Sequence, residues 1–236
     1  MKTTDNQHIK TEVIVLGTIH SQHLTSKEYS LKALETMIKT INPDYILAEM
    51  PPDRFEIAAS QYAKTGTITE PRILQYPEFS RVVFPLQRTM NFQLKPVSAW
   101  TVKMADDREE KLVAISKDPN RAADWNTYLD AREKTSELFE KEGHGFDIIW
   151  LHSDRFDEIL ETELSVFNRL FNDDLGAGGW ENINNAHYAL IDKALTALKN
   201  KGKRVLIMFG TGHKGWLLRK LKTRTDIELK PLLDVL

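Results

Sequence analysis

The chain has 236 residues, of which 41% are hydrophobic and 28% are charged, and this composition predicts one domain with a sizeable core. A formal net charge of −2 provides no basic field for nucleic acid, and the absence of cysteine excludes disulfides, thiolate metal sites and cysteine nucleophiles. The apolar runs are strand-sized and residues 1–11 lack the apolar core of a signal peptide, so we expect a soluble cytoplasmic protein with no membrane partner.

The first part of the chain shows a strand–helix–strand pattern. A continuous, β-branched apolar run over 13–16 is typical of a strand that is covered on both faces. Apolar residues then recur every three or four positions between 31 and 41, which predicts an amphipathic helix. A second apolar run over 45–48 precedes Pro51-Pro52, and prolines are common in the first turn of a helix. This spacing predicts a βαβ unit with parallel strands.

The rest of the chain continues the α/β alternation after a long interruption. A weaker strand candidate covers 95–99, and residues 101–179 show helical periodicity without a good strand. The later predicted elements are a helix up to about 200, a strand over 205–209, a helix over 213–222 and a strand over 227–232. We therefore predict a single α/β domain over 1–236, with a mostly parallel central sheet of about five strands, flanking helices and a large helical insertion over 101–179 that caps the strand ends.

Three polar residues follow three of the predicted strands. His20 comes three residues after Gly17, His213 comes three residues after Gly210, and Glu49 directly follows the second strand. Because open α/β sheets place their sites beyond the carboxyl ends of the strands, these side chains meet if the strands are neighbours. Two imidazoles and a carboxylate suit a divalent metal ion such as zinc, manganese or cobalt, or a metal-free general-base site. We predict these three residues as catalytic groups and as metal ligands.

Other polar residues near these motifs are secondary candidates. Arg54 lies five residues after Glu49 and would hold a substrate carboxylate or stabilise an oxyanion. His23 follows His20 by about one helical turn and is a candidate for an additional ligand or substrate-binding residue, although a surface loop histidine is the more typical interpretation. His187 falls on the apolar face of its helix, which is more typical of a core histidine.

A glycine motif offers a rival interpretation. The segment from Gly210 to Gly215 fits the pattern G-x-G-x-x-G between a predicted strand and a predicted helix, and Asp234 follows about 20 residues later. This is the context of a dinucleotide-binding turn. The simpler interpretation is that the glycines allow a tight turn and close packing.

The order and spacing of the motifs resemble those of the TraB/PrgY/TIKI superfamily, which is related to erythromycin-esterase-like and ChaN-like proteins. The resemblance rests on Gly17-Thr18-Ile19-His20, on the segment 43–49 with Arg54 after it, and on Gly210-Thr211-Gly212-His213, and it covers roughly 12–55 and 180–222. It implies an α/β fold with a helical insertion and a metal-dependent hydrolase that cleaves an amide or ester bond in a small molecule or peptide.

The resemblance also implies roles for individual residues. His20 and His213 match the two family histidines, Glu49 matches the acid and Arg54 matches the arginine. Asn184-Asn185 stands where relatives have Arg-Asn, which makes Asn185 a substrate-binding candidate. ChaN-like relatives imply an alternative, a non-catalytic protein that binds a small ligand or haem through one of the histidines. The oligomeric state is left open.

Overall fold

The structure is a computed structural model that describes residues 9–236, so the prediction for the extreme N-terminal segment lies mostly outside the described residues. The strands are β1 (Thr11–Thr18), β2 (Tyr45–Ala48), β3 (Gln93–Pro96), β4 (Arg204–Gly210) and β5 (Ile227–Lys230). The α-helices are α1 (Leu31–Ile41), α2 (Pro52–Thr65), α3 (Pro71–Leu74), α4 (Phe84–Met90), α5 (Val102–Lys117), α6 (Ala122–Glu142), α7 (Ile148–Leu151), α8 (Asp154–Leu175), α9 (Trp180–Ala197) and α10 (Thr211–Leu221). Within residues 9–236, no helix combines the length and the apolar character that crossing a bilayer requires.

The five strands form one parallel sheet in the order β3-β2-β4-β1-β5, which confirms the predicted α/β class. The chain moves outwards from β1 to β2 and β3, and then returns so that β4 lies between β1 and β2. Thr18 pairs with Gly210, and Ala48 pairs with Met208. The carboxyl ends of β2, β4 and β1 are therefore adjacent at one edge of the sheet.

The sheet is buried on both faces, as the continuous apolar runs predict. Alternate strand residues such as Leu16 and Met208 pack under α1, α2 and α4, while Val15 and Phe209 pack under α9 and α10. The central strands thus lie in a rigid, two-sided core. Rigid strands of this kind fix the positions of residues that directly follow them.

The segment between β3 and β4 consists of helices and short connections, with no strand among residues 101–179, all of which the structure describes. Its helices have a small core of their own around Phe167 and Phe171. The start of α8 joins the main core through Phe156 and Ile159. The segment is also tied to the carboxyl side of the sheet, because the backbone N–H of Gly17 donates to the His152 imidazole at 3.0 Å.

Candidate functional site

His20, Glu49 and His213 come together at the carboxyl ends of the three central strands. Nε2 of His20 lies 3.9 Å from Oε2 of Glu49, and Nε2 of His213 lies 3.8 Å from Oε1 of the same carboxylate. Glu49 is thus the central member of the group, with one imidazole facing each of its oxygens. We call these three residues the His–Glu–His centre.

His20 has a backbone conformation that few residues other than glycine adopt. It begins the 3-10 turn His20–Leu24 with a φ of +48°, in the left-handed region that is uncommon for residues other than glycine. The ring is placed directly over Gly210, where an added Cβ would lie 2.5 Å from Nε2 of His20. The glycine at the end of β4 is therefore required for the position of this imidazole.

A buried glutamate orients His20 and favours its protonated form. Its Nδ1 lies 2.6 Å from Oε1 of Glu78, a residue with no solvent exposure. Burial lowers the pKa of His20, but the hydrogen bond and charge of Glu78 together with the charge of Glu49 outweigh burial, so that the pKa lies above its ordinary value. The His20 side chain is 34% exposed and is the member of the centre that solvent reaches most easily.

Glu49 is a buried acid at the start of a tight turn. Its side chain is 5% exposed, and Oε2 accepts a hydrogen bond of 2.7 Å from the backbone N–H of Gly210. Burial raises the pKa of Glu49 to about 7, against the opposing effects of His20 and of the Gly210 hydrogen bond. A carboxyl group with this pKa exchanges a proton near neutral pH, as a general base must.

His213 is held in the neutral form. Its Nδ1 lies 2.7 Å from Oδ1 of Asn184, and because Nδ2 of Asn184 donates to the backbone carbonyl of Trp180, the amide presents its oxygen to the imidazole. Nδ1 therefore carries the proton, and Nε2 presents a lone pair towards Glu49. Burial, together with the charges of His187, His20 and Arg108, lowers the pKa of His213 well below its ordinary value.

The chemistry of this donor set fits a divalent cation, although its spacing is wide. Each imidazole uses Nδ1 for an oxygen acceptor and turns Nε2 towards the shared carboxylate, as histidine ligands of metals do. Ligand atoms about 2.1 Å from a common tetrahedral ion lie roughly 3.4 Å apart, somewhat closer than the Nε2–oxygen distances here. As they stand, no three His, Asp or Glu side chains within residues 9–236 form a group that could hold a metal ion. A bound ion would require these side chains to close by about half an ångström.

Two supporting residues were missed by the sequence interpretation. Glu78 precedes the buried residues Val82 and Leu86 by four and eight positions, which places it on the same side of a helix as they are. A glutamate within such an apolar helical pattern was the signal that the sequence offered. Asn184 stands three residues before His187 on the buried face of α9 and has no solvent exposure. Both signals are spacings that place a polar side chain in the core, where it needs a partner.

The other predicted site residues lie elsewhere. Asn185 is exposed and donates to Glu181, because it points away from the buried face that carries Asn184. His23 is 2% exposed, and both of its ring nitrogens are engaged, one by the backbone N–H of Ile19 and the other by the carbonyl of Tyr29. A histidine with both nitrogens occupied in this way is a structural group that holds the turn before and after His20.

Arg54 also forms its contacts away from the centre. Its guanidinium lies 3.1 Å from Asp53 and 3.7 Å from Glu70, two residues outside the His–Glu–His centre. Within the described residues, Arg54 forms no ion pair with Glu49. The side chain begins in the first turn of α2, and its partners draw it towards the amino end of α3.

The glycine motif at the start of α10 is filled by protein side chains. Gly210 is covered by His20, and an added Cβ on Gly215 would lie 2.9 Å from the Asp157 carboxyl carbon. Asp234 lies in a short 3-10 turn after β5. These glycines have packing roles, and no observation favours the dinucleotide alternative; the haem alternative likewise stays a prediction.

Comparisons with protein-family models, with curated proteins and with solved structures found no match to this chain. The resemblance to the TraB/PrgY/TIKI superfamily is therefore untested and stays a prediction. The functional argument rests on the geometry of the His–Glu–His centre.

Proposed function

We propose that the protein is a hydrolase that activates water at the His–Glu–His centre for attack on an ester or amide bond. The observation that carries the proposal is the position of Glu49, a buried carboxyl group with a pKa of about 7 between two imidazoles whose Nε2 atoms face it. A buried acid with a perturbed pKa in such a cluster is a frequent property of catalytic centres.

In this proposal each residue has one task. Glu49 accepts a proton from water while the water oxygen bonds to the substrate carbonyl carbon. His20, whose pKa is raised, donates its Nε2 proton to the leaving oxygen or nitrogen as the bond to the carbonyl carbon breaks. Glu78 orients His20 and stabilises its charged form. His213 stays neutral and positions the water through its Nε2 lone pair.

A metal-assisted form of the same reaction is the second candidate. It is favoured by the two Nδ1 contacts, because they turn both Nε2 atoms towards the carboxylate in the manner of ligands. His20, Glu49 and His213 would hold the ion, which when bound would lower the pKa of water and polarise the carbonyl group. In this form His20 is a ligand and cannot supply the proton to the leaving group.

Hydrolysis of activated esters and of short peptides tests the proposal. We expect wild-type activity on at least one of them and a loss of about a hundredfold or more in kcat for Glu49→Gln and His20→Ala. His144→Ala, at an exposed histidine remote in sequence from these motifs, is the matched control and should keep full activity. Equal activity in Glu49→Gln and wild type would contradict the proposal.

Elemental analysis separates the two forms of the reaction. Protein purified without chelator should contain about one equivalent of zinc, manganese or cobalt if the metal-assisted form operates, and His20→Ala should reduce that amount. Activity that persists in a chelator, in protein without metal, supports the acid–base form.

A further inference from the structure

A cavity of about 380 Å³ is separated from the His–Glu–His centre by the Tyr76 side chain and is lined by residues that suit an anionic ligand. Tyr76 and Trp100 form aromatic parts of its wall, Arg72 and Arg108 supply positive charge, and Leu112 and Val113 supply an apolar side. The volume is in the range of sites that take small molecules. None of these residues was singled out as a binding residue by the sequence interpretation.

The aromatic residues connect the cavity to the centre. The Tyr76 ring lies edge-on to the His20 ring, with 4.9 Å between their centroids. The Trp100 ring lies 6.3 Å from the His187 ring, which in turn lies 5.3 Å from the His213 ring. A molecule in the cavity is therefore within one side chain of the groups proposed to perform hydrolysis.

The arginines have charge that the protein does not neutralise. Within residues 9–236, neither the Arg72 nor the Arg108 side chain forms an ion pair or a hydrogen bond, whereas the side chains of Arg121 and Arg204 each bind carboxylates. Nε of Arg108 is buried and has no hydrogen-bond partner within the described residues. The Arg108 side chain as a whole is partly buried, and an oxyanion bound in the cavity would supply acceptors to the rest of its guanidinium group.

The packing of Arg108 leaves its donors available. The guanidinium carbon lies 5.2 Å from the Phe167 ring centre and 5.9 Å from the Trp100 ring centre, so aromatic rings contact the cation. Ring contacts of this kind do not use the N–H groups, which lie in the guanidinium plane. Glu109 also lines the cavity, but it is exposed and pairs with neither arginine.

We propose that this cavity binds the anionic end of the substrate, a carboxylate or phosphate on an apolar body, with Arg72 and Arg108 as the oxyanion-binding residues. The apolar body lies along Leu112 and Val113, and the scissile bond lies beside Tyr76 at His20. The identification of the bound anion as a substrate rests on the proposed hydrolase function, whereas anion binding itself can be measured without turnover. In this proposal Arg72 and Arg108 have the substrate-binding role that the sequence predicted for Arg54.

Binding of simple probes tests the cavity directly. Calorimetry with wild-type protein should detect phenylacetate or benzylphosphonate, and the stronger of the two identifies carboxylate or phosphate as the preferred group. Neutral phenylacetamide should bind at least about tenfold more weakly. Arg72→Gln and Arg108→Gln should each weaken anion binding by about ten- to a hundredfold, while Arg169→Gln, at an exposed arginine outside the cavity, should not. Equal binding by wild type and both cavity variants, or no binding of either anion, overturns the proposal.

Turnover of matched esters then tests the link to hydrolysis. The para-nitrophenyl esters of succinate and valerate have acyl chains of similar length, but only the former carries a charge. We expect a higher kcat/KM for the succinate ester in wild type, and the ratio of the two kcat/KM values should fall towards one in Arg108→Gln. Hydrolysis of both esters at equal rates would contradict the cavity proposal alone. Anion binding without any hydrolysis would contradict the proposed function alone.

Discussion

The carboxyl group of Glu49 links the chemistry of the centre to the stability of the fold. Its pKa rises from 4.5 to about 7 in the folded protein, chiefly through burial, so the folded state holds the proton more tightly than the unfolded chain. The corresponding stability is present below pH 4.5 and is lost as the pH rises through about 7. The shift corresponds to a cost on the order of 3 kcal/mol for the ionised form.

Glu49→Gln should therefore stabilise the protein at alkaline pH while it removes activity. Gln keeps an oxygen that can accept from the Gly210 N–H but has no charge to bury. In chelator, we expect the variant to exceed wild type by on the order of 3 kcal/mol in free energy of unfolding at about pH 8, and by much less at about pH 5. Urea unfolding at the two pH values measures this difference. A gain that does not depend on pH would argue against a buried, ionising Glu49.

The contact between Gly210 and His20 provides a second test at the scale of one residue. The backbone of Gly210 has a φ of −52°, which other residues accept, but a Cβ there would overlap Nε2 of His20. Gly210→Ala should displace the imidazole and reduce kcat by about a hundredfold. Gly212→Ala is the matched control, since its Cβ would meet only Trp180 at an ordinary 3.7 Å. Loss of activity in both variants, or in neither, would contradict this role for Gly210.

Among the elements, the turn between β1 and α1 determines where His20 lies. His23 accepts from the backbone N–H of Ile19 and engages the carbonyl of Tyr29, while the Tyr29 hydroxyl donates to the carbonyl of Gly17. These contacts satisfy buried backbone groups at the carboxyl end of β1 and in the turn that follows it. They also stabilise the left-handed backbone conformation of His20, which is unfavourable for a residue other than glycine.

His23→Ala should consequently destabilise the protein and loosen the centre. Two buried backbone groups would lose their partners, at a cost of about 2 kcal/mol or more in free energy of unfolding. We expect hydrogen exchange to accelerate over 19–25 and the sheet interior to remain protected. His144→Ala should change stability by less than about 0.5 kcal/mol. Unchanged stability in His23→Ala would show that the turn does not depend on this imidazole.

The elements also show what sequence patterns can and cannot predict. Apolar runs and helical periodicity located β1, β2, β4 and most flanking helices, because burial on both faces of a parallel sheet leaves a clear pattern. They placed His20, Glu49 and His213 at strand ends. The order of the strands, and hence which strand ends meet, depends on long-range packing that no local pattern contains.

The supporting residues were harder to predict for a related physical reason. Glu78 and Asn184 act through one hydrogen bond each to a distant histidine, so their importance appears only when two segments are brought together. Arg54 follows the motif at the expected spacing, but local carboxylates determine where its side chain points. Long, flexible side chains are the least predictable part of a site.

At the scale of the whole molecule, buried neutral histidines should determine the response to acid. Burial lowers the pKa of His152 from 6.5 to about 4, and burial likewise lowers the pKa of His23, His187 and His213. Because these pKa values are lower in the folded protein, the stability they contribute is present above pH 6.5 and is lost as the pH falls towards about 4. The raised pKa values of Glu49 and His20 act in the opposite direction.

The number of protons taken up on unfolding measures this balance. At about pH 5, His152→Gln should reduce proton uptake by close to one, because Gln offers an oxygen to the Gly17 N–H without gaining a charge. The slope of unfolding free energy against pH gives this number. An unchanged slope would mean that His152 is already protonated, or exposed, in the folded protein.

The most direct test of the whole account is an NMR titration of the histidine side chains in wild type and in Glu49→Gln. A common centre predicts that His213 remains neutral with its proton on Nδ1, that His20 titrates above its ordinary pKa, and that the substitution lowers the pKa of His20 and shifts the resonances of both rings, with exposed His144 unchanged. If Glu49→Gln left the resonances of both His20 and His213 unaltered, the three residues would not share a centre.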